Sequence, residues 1–324
     1  MNPLKWFLNQ YLKRCQVKQK SGGFTLIELL VAIVLAALVI TPLMGFMINV
    51  MDSDRKEQAK ATSEQEIKAA LDYISQDLEQ AIYIYDAAGI EKIKSQLPTS
   101  STSDHFPVIV FWKRQFRPQV ISAGSGFDDT FVYSLVAYYF IKGDDPDNTW
   151  SKAARIGRFE IREGQDGFQI FDPNNQYTTL KDKMENWTKS AIGYTNNSPK
   201  ILPLVDYIDQ TTVSENLAVA PPSCPADSDP STPDMQQVPN YATGATTAVP
   251  DANLKTGSFY VCVLSSPTTT STQKAITVSE VHLRGNAYAR IENDVNKIKY
   301  SDNKKNYFPQ YSARVKGRGF LYTK

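Results

Sequence analysis

Ser21-Gly22-Gly23-Phe24-Thr25-Leu26-Ile27-Glu28-Leu29-Leu30 opens an apolar run that continues to Met51 with Glu28 as its only charge. The uncharged part, residues 29–51, makes about 34 Å of helix, enough to cross a hydrocarbon core of about 30 Å. Ahead of it, residues 1–23 carry Lys5, Lys13, Arg14, Lys18 and Lys20 and no acid; Asp52 and Asp54 follow it. That asymmetry predicts a cytoplasmic N-terminus, a single pass, and the rest of the chain outside. A carboxylate inside a membrane segment costs about 3 kcal/mol, so Glu28 needs a partner. Pro42 removes one helical hydrogen bond and, with Gly45 close behind, marks a place where the span can kink or loosen.

A secretory signal peptide also pairs a basic region with an apolar one. Here the apolar run is longer than a signal core, no small-x-small cleavage site follows it cleanly, and the distinctive junction lies on the basic side. The stretch GGFTLIELLVA resembles the leader junction of type IV prepilins and type II secretion pseudopilins, with glycine, aromatic residue, apolar run and glutamate in register. The resemblance implies that a prepilin peptidase/methyltransferase cuts between Gly23 and Phe24 and methylates the new N-terminus. It also implies that Glu28 pairs with the N-terminal amine of a neighbouring subunit as apolar helices bundle in a filament. Such a pair answers the membrane cost, because two buried charges are tolerable together and neither is alone. The partners implied are other pilins and pseudopilins, an inner-membrane assembly platform, and the membrane itself. The location implied is the inner membrane with the head in the periplasm, or a surface filament.

Past the span, Ile67, Leu71, Ile74, Leu78, Ile82 and Tyr85 recur at three- and four-residue intervals, the stripe of an amphipathic helix. The spacing predicts one helix with a transmembrane half (24–51) and an amphipathic half (52–89) ending near Gly89, before a head over 90–324. Within that helix, 52–66 is strongly polar and reads as an exposed stalk. β-Branched and aromatic runs predict strands at 107–116, 130–142, 157–162, 167–171, 258–264, 276–289 and 320–323. One helix followed by antiparallel strands, without βαβ alternation, is an α+β, pilin-like pattern. VAYYFIKG (136–143), followed by a turn and an arginine-bearing strand, resembles the J/W class of minor pseudopilins. LDYISQDLEQAIYIYDAAGI and PVIVFWKRQF resemble the cyanobacterial hormogonium polysaccharide secretion pseudopilins, over about residues 21–142. That likeness implies a pilus-like apparatus supporting polysaccharide secretion and gliding motility. The rival reading is a signal-anchored extracytoplasmic polysaccharide-binding protein or enzyme that uses the span only as a tether.

Composition narrows the rest. Of 324 residues, 35 are basic and 34 acidic, so no global charge points to nucleic acid. The mean hydropathy of −0.35 excludes a multi-spanning protein but not a single span. Two histidines and three cysteines leave little material for a zinc site, no P-loop or GxSxG element occurs, and no cofactor is implied. The second half separates by charge. Residues 201–254 hold seven acids and no Lys or Arg, and a proline-rich acidic loop is expected over 211–254. Residues 255–324 hold twelve basic side chains against four acidic.

Cys15 leaves with the leader, and Cys224 with Cys262 then forms an even pair in an oxidising compartment. A disulfide between them closes a loop of about 38 residues and is worth about 3–4 kcal/mol; two unrelated thiols are the alternative. Asp144, Asp145, Asp147 and Asn148 offer oxygen ligands of the kind calcium takes, but lack EF-hand alternation and read better as a solvated turn. Lys297, Lys299, Lys304, Lys305, Arg314, Lys316 and Arg318, interleaved with tyrosines, could face an exopolysaccharide or meet the acidic segment of the same head. Trp112, Trp150 and Trp187 could be sugar platforms, although Trp112 sits in an apolar strand that suits a core.

Overall fold

The computed structural model describes residues 23–98, 104–123, 126–142, 149–196, 198–225, 234–240, 255–264 and 278–318, with backbone alone at 119–123 and 126–130. The basic leader, the Asp144, Asp145 and Asp147 turn, the strand expected at 320–323 and much of 211–254 lie outside the described residues. The chain divides into two compact units, 1–54 and 55–324.

The first unit holds the apolar part of helix α1 (Leu26–Glu79). Leu, Ile, Val and Ala favour this helix, and Pro42 is accommodated inside it. Every residue from Phe24 to Met51 is exposed. A soluble monomer does not normally leave so large an apolar surface in water. This is the one helix, among the described residues, long and apolar enough to cross a membrane.

In the second unit α1 buries Ala59, Ser63, Ile67, Ala70, Leu71, Ile74, Asp77 and Leu78, a single stripe at helical spacing. The helix stops at Glu79, short of the expected end near Gly89. Ile82-Tyr83-Ile84 favours extended backbone, and β1 (Ala81–Ile84) pairs with residues 111–113. Asp86 then starts a new helix, α2 (Ala87–Ile93), its carboxylate accepting from the Gly89 amide at 2.7 Å. Ile82 and Tyr85 are buried all the same. The stripe identified the core residues and missed the change of period from helix to strand.

Strands β2 (His105–Ala123), β3 (Gly126–Ile141), β4 (Ala154–Arg162) and β5 (Leu202–Ile208) complete an antiparallel sheet of order β1-β2-β3-β4-β5. Strands β6 (Met235–Val238), β7 (Phe259–Leu264), β8 (Val278–Arg284) and β9 (Gln310–Lys316) form a second antiparallel sheet in chain order. The architecture is thus α+β and pilin-like, a long N-terminal apolar helix followed by antiparallel sheets. Helix α3 (Leu180–Glu185) covers α2, where Lys92 pairs with Glu185.

Residues 167–171 are not a strand. Gly167 takes φ +92° and turns the chain, so that Phe168 and Phe171 pack edge-on against Trp112 at 6.1 and 5.3 Å between ring centres. The strand expected over 276–289 ends at Arg284 and gives way to a 3-10 turn (Ala287–Arg290). β6 lies within the expected proline-rich loop, pairs with β7, and shortens that loop. Cys224 and Cys262 are disulfide-bonded with 5.6 Å between their Cα atoms, which fixes the start of this segment to β7.

A single apolar core joins the α1 stripe to both sheets through Trp112, Tyr138, Phe159, Val261 and Leu283. The sheets meet at an Ile208–Gly285 bridge, extended by the Asn286 amide donating to the Tyr207 carbonyl at 2.6 Å. Gly285 is needed there because α1 comes very close: a Cβ would lie 2.8 Å from Ile67 Cγ1. Gly285→Ala should therefore destabilise the head by about 1–3 kcal/mol through overpacking, read as a lower Tm of the full chain. An unchanged Tm would show that this helix–sheet contact tolerates an added methyl group.

Candidate functional site

The helix start is built by its own side chains. Thr25 precedes the first turn, and its Oγ1 accepts from the Glu28 amide at 3.3 Å. The Glu28 carboxylate reaches back, accepting from the Thr25 amide at 3.2 Å and from the Thr25 hydroxyl at 3.1 Å. This is a reciprocal capping box, Thr-x-x-Glu, which satisfies two of the amides that a helix start leaves open. The Thr-x-x-Glu spacing is legible in the sequence, where it coincides with the processing junction. Gly23 and Phe24 lie just ahead of the box, with Phe24 82% exposed. Further along, the Thr41 hydroxyl donates to the Ala37 carbonyl at 2.7 Å, one residue before Pro42. Gly45 has open space where a Cβ would stand, so nothing in the chain requires glycine there.

Lower on α1, Asp77 enters a buried ionic cluster. Its carboxylate accepts from Lys113 Nζ of β2 at 2.8 Å, from Arg158 Nε of β4 at 2.8 Å and from the Tyr138 hydroxyl of β3 at 2.7 Å. Glu160 completes it, 2.7 Å from Arg158 and 3.3 Å from Lys113. Lys113 is 1% exposed. Burial alone pushes the Asp77 carboxyl up, but Arg158 and Lys113 outweigh it and hold the group below its ordinary range. Burial likewise pushes Glu160 up, and Lys113 with Arg158 bring it below its ordinary range. Burial, with the Asp77 charge next, raises the Tyr138 phenol far above its usual value, so it stays a hydrogen-bond donor. Nothing in the sequence marks these residues as a group.

The basic C-terminal region separates into two parts. Lys297 lies 3.6 Å from Asp294, Lys299 pairs with Glu215 at 2.6 Å, and Lys304 donates to the Lys297 carbonyl at 2.7 Å. The Lys299–Glu215 pair joins the basic region to the acidic segment of the same head. So does Arg284, 6% exposed and 2.8 Å from the fully buried Asp209. Lys305 is exposed. Arg314 and Lys316 alternate along the outward face of β9, and Arg318 continues the row. All three are exposed, without an ion pair among the described residues. They border an open groove of about 660 Å³ beside Gln76, Glu79 and Gln80 at the end of α1. Trp112 and Trp187 are buried in the core, whereas Trp150 is 40% exposed. Among the described residues no three His, Cys, Asp or Glu side chains gather to hold a metal.

Residues 18–44 match the family model described as the prokaryotic N-terminal methylation motif. No curated protein and no solved structure matches the chain. The motif marks a pilin- or pseudopilin-like subunit, and implies processing by prepilin peptidase and assembly with other pilins. It suggests a structural rather than catalytic role, and the apolar helix that carries it fits a single-pass membrane anchor.

The ionic cluster makes an acid-stability prediction. Asp77 and Glu160 both titrate lower in the fold than when unfolded, so the stability they contribute is present above the ordinary carboxylate range. It is lost as pH falls below about 4 through their folded values. Asp77→Asn should lower the neutral-pH stability by about 3–5 kcal/mol and flatten this acid limb. Thermal unfolding between pH 7 and pH 3 checks both, and an acid limb unchanged in the variant would remove Asp77 from the account.

Proposed function

We propose that the protein is a minor pseudopilin: a membrane-anchored subunit of a type IV pilus-like or type II secretion-like filament. The reading is carried by the methylation motif lying across the start of an exposed apolar helix. Prepilin peptidase cleaves between Gly23 and Phe24 and methylates the Phe24 nitrogen. The chain stands in the inner membrane, with its N-terminus toward the cytoplasm and its head in the periplasm. On assembly Glu28 exchanges its local cap with Thr25 for the charged amine of a neighbouring subunit, which leaves no isolated carboxylate among the packed helices. Pro42 and Gly45 give the span a place to adjust as it packs. The finer role is support of polysaccharide secretion and gliding motility, in the manner of the hormogonium polysaccharide secretion pseudopilins of HpsC type. It rests on the likeness over about residues 21–142, with the basic row of Arg314, Lys316 and Arg318 as the surface toward an acidic polymer.

Mass spectrometry of the chain from its own membrane should find an N-terminus at methylated Phe24. An intact Met1, or a cut after Gly45, would favour the tethered protein that uses the span only as an anchor. Glu28→Ala should still be processed and held in the membrane, yet be sharply depleted from filaments co-isolated with other pilins. Undiminished co-assembly and secretion would sink the charge-pair account.

A further inference from the structure

Strand β5 carries an irregularity that brings Val205 and Ile208, three residues apart, into the same core. Its register with β4 shifts between Ala154, opposite Ile208, and Ile156, opposite Val205, so Asp206 and Tyr207 together face Arg155. Tyr207 takes φ +59° at this bulge, a left-handed conformation that is unusual for a bulky side chain. Bulges and strained residues of this kind often re-aim side chains beside functional sites. Here they hold a carboxylate at the mouth of a pocket of about 300 Å³.

Asp206 is held from several sides. One oxygen accepts from the Ser151 hydroxyl at 2.7 Å and the Tyr207 amide at 2.8 Å, and the other from the Ser151 amide at 2.8 Å. It has no ion pair among the described residues; the first oxygen has both lone-pair sites taken, and the second, with one bond, keeps an acceptor site. Trp150, 40% exposed, lines the pocket with exposed Lys152 and Asn293, half-buried Glu292 and buried Ile298. The Tyr207 ring is fixed by Arg290, whose guanidinium lies 4.0 Å from its centre and is itself held by Ser63 and Glu66 of α1.

We propose that this pocket binds a neutral sugar unit of a glycan, with the apolar face of the ring on Trp150 and one ring hydroxyl donating to the second oxygen of Asp206. The combination suits that chemistry: an aromatic plane fits the C–H face of a pyranose, an oriented carboxylate accepts from one hydroxyl, and Asn293 and Lys152 can donate to ring substituents. An acidic sugar would set its charge against Asp206 and Glu292. The volume accommodates one residue of a chain that continues past the rim. This surface differs in charge from the Arg314, Lys316 and Arg318 row, and a subunit with an empty pocket would still enter a filament, so binding and assembly are scored separately.

The test uses the full chain in a detergent without a sugar headgroup and follows acrylamide quenching of tryptophan fluorescence. The probes are neutral trisaccharides of glucose, galactose, mannose and N-acetylglucosamine, with trigalacturonate as the acidic counterpart. A neutral probe should shield a quenchable fraction saturably, and that fraction should be missing from Trp150→Phe. Asp206→Asn should weaken binding about tenfold while melting as the wild type does. Absence of shielding by every neutral probe would overturn the proposal. So would binding that is unchanged in Asp206→Asn, or binding confined to trigalacturonate and abolished by salt.

Discussion

The head depends on a neutral cluster of buried charges between the helix and the first sheet. Asp77 and Glu160 are balanced by Lys113 and Arg158, with Tyr138 donating into the middle. Burying charge is costly, and well-packed apolar residues would often be as stable. The cluster adds a constraint on geometry. An apolar stripe of Ile67, Leu71, Ile74 and Leu78 can be approximated by neighbouring rotations of the helix, because many apolar contacts are interchangeable. Asp77 has no such latitude: a shift of one residue turns it by about 100° and leaves two cations buried without it. The cluster therefore sets the rotation of α1 against β2, β3 and β4 at once, and Gly285 allows the close approach from the second sheet.

The apolar half of α1 poses the opposite problem. Among the described residues its side chains from Phe24 to Met51 are all exposed, so their burial has to come from outside the described fold, from lipid or from other helices. One polar feature interrupts this surface at its start. Thr25 and Glu28 satisfy each other locally, which limits the cost of a carboxylate in an apolar setting without neutralising its charge. Helix capping uses the Oε2 atom of Glu28, and the intersubunit pair proposed above would draw on the same carboxylate, so Thr25 bears on both.

Much of this was legible in the sequence, for reasons that differ by element. The junction at Gly22–Leu30 and the span are local signals, and the stripe from Ile67 to Leu78 is periodic, so both could be read directly. Ile82 and Tyr85 continued the period by coincidence while their β-branched and aromatic setting favoured a strand, and pairing with β2 decided the outcome. β6 is short, and β5 and β9 lie in segments whose proline or charge content masked the alternation. The ionic cluster was not legible at all. Asp77, Lys113, Arg158 and Glu160 come from three elements, and only the sheet order brings them together. The Asp206–Tyr207 bulge is also a product of register, which no single strand records.

Charge tells a similar story on the scale of the whole head. Residues 201–254 and 255–324 look like opposing blocks in the sequence, and the fold spends part of that opposition internally. Lys299 with Glu215 and Arg284 with Asp209 stitch the acidic segment to the basic one. Arg314, Lys316 and Arg318 remain as an outward row because alternation along β9 turns Val315 inward and leaves the cations to solvent. The pocket beside Trp150 has mixed charge and a fixed carboxylate. A polymer meeting this head would therefore encounter two different chemistries. One row attracts negative charge at a distance and loses strength with salt. The proposed pocket would act only at contact, through shape and hydrogen bonds that salt barely affects. Both surfaces lean on the polar half of α1, through Ser63 and Glu66 beside the pocket and Gln76 and Glu79 beside the basic row, and among the described residues neither involves the apolar half at 24–51.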